Sequence, residues 1–288
     1  MNQKDTILSA HEKELIRMAL AEDLADRGDI TSIALIAEGR EASAHILTRE
    51  TCTISGNAVA REVFRQVDER VQVEVLVNDG VTVAPGEVIL RLRGPVRSML
   101  TAERTALNFM QRLTGVATLT HAFTERVKSY GTMILDTRKT TPGFRTLEKY
   151  AVQCGGGSNH RMGLYDRILI KDNHRAMWAE QARGDLGEAV RHARELYSDV
   201  LVELEVESVE ELRQALPMRP DWVLLDNMPP EVMRECVELC CGVCKTEASG
   251  GITLANVEAA AASGVDAISL GCLTHSARAV DLSLEMDG

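Results

Sequence analysis

The stretch TMILDTRKTTPGFR (132–145) joins an apolar run, Met133-Ile134-Leu135, to a loop that holds Arg138, Lys139 and Arg145 beside Thr137, Thr140 and Thr141. Three aliphatic positions that stop at a polar break read as the end of a buried strand. The loop after the break is cationic, in a chain whose net charge is −11. A strand that opens into a concentrated positive loop is where a fold presents a site.

The rest of the second half repeats this pattern. Apolar runs recur in RILIK (167–171), DVLVELEV (199–206), DWVLLD (221–226), GVCKTEAS (242–249) and VDAISLG (265–271), with helix-like stretches such as SVEELRQAL and TLANVEAAAASG between them. Alternating strand and helix patterns predict a parallel sheet with right-handed crossovers. Six or more such units favour a closed or nearly closed α/β barrel over the alternative, a doubly wound sheet. Five runs finish on a polar residue: Asp136, Lys171, Glu205, Asp226 and Glu247. Barrels carry their sites at the carboxyl ends of the strands, so these residues are expected at one mouth. Glu203, Glu205 and Glu207 alternate and so share one strand face.

The first half has another texture. Residues 1–36 read as helical. EASAHILT, RVQVEVLV and GEVILRLRG read as strands separated by turn signals, with the helix-like AVAREVFRQVD among them. A long helix comes next near 100–114, with Gly115 read as its stop. On it Arg104, Asn108 and Arg112 form one polar stripe at i, i+4 and i+8. The expected organisation is α/β: an N-terminal α+β sandwich-like domain over 1–115, an incomplete α/β barrel over 116–275, and a segment over 276–288 that packs back on the N-terminal domain.

With 288 residues, 45% apolar, the chain has material for a sizeable core. The acidic surface and the 3% aromatic content argue against nucleic-acid and anionic-membrane binding. No apolar run approaches the ~18 residues of a membrane helix. The expectation is a soluble cytoplasmic protein. Cys236, Cys240, Cys241 and Cys244 include one C-x-x-C, but no second pair or histidines complete a tetrahedron, and they read as small core residues.

Positive charge gathers locally. Residues 136–175 hold eight Lys/Arg against four Asp/Glu, a net +4 that leaves −15 for the remainder. Such a patch focuses field on an anionic ligand. The glycine-rich CGGGSNHR (154–161) leads into His160 and Arg161. EASGGIT (247–253) and SLGCLTHS (269–276) each come after a strand, and barrels bind phosphate in the loops after their last two strands. The ligand is therefore expected to carry a phosphate and further anionic groups. Glu205 and Asp226 among these cations could hold sugar hydroxyls, ligate Mg²⁺ or stabilise developing positive charge.

These motifs resemble the quinolinate phosphoribosyltransferase family. GDITS (28–32), ERTALNFMQRLTGVAT (103–118), LDTRKTTPGFR (135–145), GGGSNHRMGLYDRILIKDNH (155–174), VELEVES (202–208), LLDNM (224–228), EASGGIT and LGCLTHS stand in that family's order over nearly the whole chain. The resemblance implies a seven-stranded incomplete barrel and a homodimer with shared active sites, assembly into hexamers being left open. It implies transfer of phosphoribose from 5-phosphoribosyl-1-pyrophosphate to quinolinate, giving nicotinate mononucleotide, pyrophosphate and CO₂, with substrate-associated Mg²⁺. By resemblance Thr137, Arg138, Lys139, His160, Arg161 and Lys171 line the quinolinate and pyrophosphate region, with Arg104 entering from the partner subunit. Glu205 and Asp226 would face ribose and metal. Ser249, Gly250, Gly251 and the turn Leu270, Gly271, Cys272 would take the 5-phosphate, with His275 nearby. Lys139, Lys171, Glu205 and Asp226 would be catalytic.

Overall fold

In the computed structural model, which describes residues 8–180 and 186–287, the strands in chain order are β1 (Glu41–Thr48), β2 (Cys52–Thr53), β3 (Gln72–Val75), β4 (Thr82–Val83), β5 (Val88–Pro95), β6 (Met133–Leu135), β7 (Ile168–Ile170), β8 (Val202–Val206), β9 (Trp222–Asp226), β10 (Lys245–Ser249), β11 (Ala267–Ser269) and β12 (Leu282–Met286). Two compact units contain them. The first comprises Met1–His121, Thr141–Gly156 and Thr274–Gly288, so far as these are described; the second comprises Ala122–Thr140 and Gly157–Leu273.

The first unit is built on an antiparallel sheet of order β12-β1-β5-β3. Alternation in EASAHILT turns Ala44 and Ile46 to a buried face, opposite Leu92 and Leu90 of β5. The C-terminal β12 lies on the other side of β1, with Leu284 opposite Ile46. The helix Asn57–Val67 buries Val59, Ala60, Val63 and Phe64, one face of a 3.6-residue period. The helical reading of 1–36 resolves into Ala10–Leu24 and Ile30–Leu35, while residues 1–7 lie outside the described part. Ser9 caps the first helix in a capping box with Glu12, and Asp29 caps the second by accepting from the Ser32 N–H at 2.9 Å. Among the described residues no helix is long and apolar enough to cross a membrane.

Gly115 does not stop its helix, which runs unbroken from Val96 to Val127. A Cβ at Gly115 would overlap the Arg278 carbonyl oxygen. The glycine is there so that the C-terminal segment can approach the helix backbone, and its modest helix penalty is outweighed by that packing. The same helix receives Arg145–Cys154, whose Leu147, Ala151 and Val152 are buried. Gly155, at the end of Arg145–Cys154, likewise leaves no room for a Cβ against Ala117. This contact keeps Thr141–Gly156 in the first unit although it interrupts the second in sequence.

In the second unit all six apolar runs are strands, ordered β6-β11-β10-β9-β8-β7 and all parallel. From β7 to β11 each strand neighbours the next in sequence, and the last returns to the first. A doubly wound sheet would instead reverse direction at a switch point. The result is an incomplete α/β barrel. The seventh strand is reduced to one parallel bridge, Leu135 to Ser158, beyond β6. Three glycines, Gly155 to Gly157, precede it, and Gly156 has a left-handed φ of +85°. Glycine runs form poor ladders, so pairing begins and ends at Ser158.

Candidate active site

Parallel strands bring their carboxyl ends to one rim, and the second unit carries a cavity of about 260 Å³ there. Thr137, Arg138 and Lys139 reach it from the loop after β6, and His160 and Arg161 from the segment after Ser158. Lys171 comes from the end of β7, Glu205 from β8, Asp226 from β9, Ser249 from β10 and Ser269 from β11. Four cations and three carboxylates, Glu247 being the third, thus share one small space. Asp136 is not among the lining residues. It is fully buried, and its Oδ1 accepts the His160 N–H at 2.9 Å, so it anchors the segment that carries His160.

The charges are arranged in pairs. Lys171 Nζ donates to Glu205 Oε2. Asp226 is half-buried, and its Oδ2 accepts from Asn227 Nδ2 at 2.9 Å. Burial, with Arg138 close by, pulls the Arg161 pKa below its ordinary value, as expected where cations are gathered before their ligand.

Beneath them lies a trio that the strand pattern only hinted at. His160 Nε2 lies 3.0 Å from Glu203 Oε2 and 3.4 Å from Glu247 Oε2. Both glutamates are fully buried. Arg167 Nη1 stands 3.3 Å from Glu203. The Arg161 backbone N–H donates to His160 Nδ1 at 2.6 Å, which makes Nδ1 an acceptor and puts the ring proton on Nε2. No imidazole lone pair then remains for a metal, although the ligand-type atoms of the trio all lie within 4.8 Å of one another. The trio shares protons instead. Burial disfavours a charged imidazole, yet the two carboxylates more than offset it and draw the pKa of His160 up to about 9. Burial raises Glu203, but His160 and Arg167 overcome it and hold Glu203 below its ordinary pKa. Burial, and then the charge of Glu203, push Glu247 upward. Of the expected acidic face, Glu207 lies past the strand end and is exposed. Inward-facing acids on neighbouring strands were the available signal for Glu203 and Glu247.

The glycine loops are shaped as the sequence suggests. Gly250 and Gly251 both have left-handed φ, +88° and +63°. Leu270 is buried, and its N–H donates to the Leu135 carbonyl at 2.9 Å, locking β11 to β6. Gly271 is next, and then the short helix Cys272–His275; burial raises the Cys272 thiol pKa. His275 is exposed, with Nδ1 2.6 Å from Ser276 Oγ.

The stripe Arg104, Asn108, Arg112 is divided in role. All three line a cleft of about 530 Å³ in the first unit, with Leu15, Met18 and Phe144, but among the described residues only Arg112 of the stripe is also tied into the fold. Arg112 is a structural cation. It donates to buried Glu148 at 2.8 Å and to the carbonyls of Ala277 at 2.6 Å and of Thr274.

Comparison with known proteins agrees with this architecture. The family described as "Quinolinate phosphoribosyl transferase, N-terminal domain" matches residues 29–114, and the corresponding C-terminal domain matches residues 116–285. A probable nicotinate-nucleotide pyrophosphorylase [carboxylating] of Bacillus subtilis is 42% identical over 95% of this chain and 93% of its own length. A mitochondrial quinolinate phosphoribosyltransferase [decarboxylating] of Nicotiana tabacum is 39% identical over 96% of this chain and 82% of its own. The solved nicotinate-nucleotide pyrophosphorylase of Francisella tularensis superposes over the full length of both chains with a TM-score of 0.91 and 41% identity.

Proposed function

Since the chain belongs to the quinolinate phosphoribosyltransferase family, phosphoribosyltransferases of NAD biosynthesis, we propose that its barrel mouth joins quinolinate to 5-phosphoribosyl-1-pyrophosphate and releases pyrophosphate and CO₂. The observation that carries this reading is the convergence of Arg138, Lys139, Arg161 and Lys171 on one cavity that also holds the carboxylates Glu205 and Asp226. A diacid and a pyrophosphate explain the cations. A sugar that becomes positive explains the carboxylates.

The roles follow from position. Arg138, Lys139, Arg161 and Lys171 orient the two carboxylates of quinolinate and take the charge of departing pyrophosphate. The ring nitrogen attacks the anomeric carbon as that leaving group goes. Asp226 stabilises the positive charge that builds on the ribose, while the Glu205 pairing keeps Lys171 in place. The pyridinium nitrogen formed then stabilises the carbanion left when the adjacent carboxylate departs. Ser249, Gly250 and Gly251 take the 5-phosphate, and Gly271 and Cys272 complete that end. The Leu270 N–H is engaged with Leu135, so Leu270 shapes the turn rather than binding. Mg²⁺ carried with the pyrophosphate would neutralise the leaving group. Asp226 fits it, being half-buried with Asn227 as its hydrogen-bond donor, whereas Glu205 is engaged with Lys171.

The protein acts as a homodimer in this reading, with Arg104 supplied to the quinolinate pocket by the partner subunit, and it works in the cytoplasm. The test is CO₂ release from carboxyl-labelled quinolinate. Release that requires 5-phosphoribosyl-1-pyrophosphate, with nicotinate mononucleotide as product, is expected. Pyrophosphate release without quinolinate dependence would overturn the reading.

A further inference from the structure

Two carboxylates face one imidazole at the floor of the cavity, and the protons there can be counted. His160 Nδ1 accepts the Arg161 N–H, so Nε2 carries the one ring proton that faces both carboxylates. Arg167 lies against Glu203. Glu247 has no cation of its own among the described residues, and neither of its oxygens has a hydrogen-bond partner there. Its nearest ionisable partner is the same Nε2, at 3.4 Å. The other neighbouring strands bring Ser269 on β11 and, at the cavity wall, Asp226 on β9, which would repel an anion. Two fully buried carboxylates within reach of each other, served by one guanidinium and sharing one imidazole N–H, cannot both keep their charge cheaply.

We infer that Glu247 is held as a neutral carboxylic acid beneath the quinolinate pocket, and that this neutrality is a condition for binding the diacid. Glu247 is then a positioning residue, acting on the substrate through His160. Glu203 is its charged counterpart. The direction in which burial and Glu203 push Glu247 agrees with this assignment. The inference rests on the proposed function, because it needs an anionic ligand above the trio. Its consequence is a pH limit. As pH rises, Glu247 loses its proton and the floor becomes negative. The cations above, Arg138, Lys139, Arg161 and Lys171, then face an internal competitor for the diacid.

The experiment uses the full-length protein with Glu247→Gln and Glu203→Gln. The first readout is the infrared carbonyl stretch of a protonated carboxyl, compared between wild type and Glu247→Gln at neutral pH without ligand. The band is expected in wild type and absent from Glu247→Gln; its absence from wild type would overturn the inference. This readout needs no quinolinate, so it stands even if the proposed substrate is wrong. The second readout is quinolinate Kd by calorimetry across pH. Glu247→Gln, which mimics the protonated acid, is expected to lose the alkaline weakening expected of wild type. Its Kd at neutral pH should lie about tenfold or more below that of Glu203→Gln, as one lost charge pairing implies. Equal damage from the two variants, or an unaltered alkaline limb in Glu247→Gln, would overturn it. Failure of wild type to bind quinolinate at all, with the infrared band present, would sink the functional reading and leave the protonation intact.

Discussion

Asn227 Oδ1 occupies the space that a Cβ on Gly250 would need. Both residues are in left-handed backbone, with φ of +53° at Asn227 and +88° at Gly250. Asn227 also donates its N–H to the Ser249 carbonyl at 2.9 Å and its side-chain amide to Asp226. The loop proposed for phosphate and the carboxylate proposed for ribose are therefore locked together by one asparagine. Gly250→Val should displace Asn227 and close the loop to its anion. The KM for 5-phosphoribosyl-1-pyrophosphate should rise about tenfold or more, and that for quinolinate much less. Equal increases in both would remove the 5-phosphate from this loop.

Asp226→Asn keeps size and hydrogen bonding and removes charge. Loss of a pre-organised electrostatic group should lower kcat roughly 10²-fold or more. Quinolinate Kd, read by calorimetry, should be no weaker, because a negative neighbour of the diacid is gone. Single-turnover rates equal to wild type would show that Asp226 is structural. Chelation of Mg²⁺ should abolish turnover of the wild type in the same assay while leaving quinolinate Kd in place.

Arg104→Ala should weaken quinolinate binding without unfolding the protein. Mixed with Lys139→Ala, it should regain activity, since a hybrid dimer contains one site with both residues native. Verified hybrids with no recovery would remove Arg104 from a shared site.

Arg112→Ala should cost stability instead. Glu148 is fully buried, and it also accepts from Thr141 N–H and Oγ1, at 3.0 and 2.9 Å. Removing its cation leaves an uncompensated buried charge, a loss of about 3 kcal/mol or more in denaturant unfolding. Arg112→Ala, Glu148→Gln together should recover part of that; a double mutant worse than the sum would show that the pairing is not what matters.

Glu50 ties the C-terminal segment back to the sheet. Its carboxylate pairs with Arg278 at 2.8 Å and accepts the Asp281 N–H at 3.0 Å. The Arg278 pairing, followed by the Asp281 bond, lowers its pKa to about 2. A depressed carboxylate contributes stability above its unfolded pKa and loses it as pH falls toward the folded value. Wild type should therefore exceed Glu50→Gln by about 1 kcal/mol at neutral pH, Arg278 being well exposed. The difference should vanish as pH approaches 2. A difference independent of pH would mean that shape, not charge, holds the segment.

The barrel was legible because its strands are short apolar runs with polar ends, and all six runs became strands. Local pattern sufficed where a residue's environment is set by near neighbours. It failed where the partner is distant in sequence. Gly115 looks like a stop until Arg278 is placed beside it, and Arg112 looks like a rim cation until Glu148 and Ala277 surround it. The pocket cations were visible as a charge cluster, whereas the engagement of both His160 ring nitrogens needs the fold to bring β8 and β10 beneath one histidine.

The lone bridge at Ser158 has a mechanical consequence. A hoop resists widening evenly, but a ring cut once yields at the cut, as a split washer does. Here the two ends are the Ser158 segment, fastened at Leu135, and β7, fastened to β8. Arg161 sits just past one end and Lys171 just past the other. Dilation at the cut is opposed there by a pin, the Arg161 Nη1 that donates to the Arg167 carbonyl at 3.1 Å, just before β7. Two of the cations proposed to grip the ligand therefore flank the opening, and one of them also bolts it, while Asp226 and Ser249 are paired strand to strand on the uncut arc.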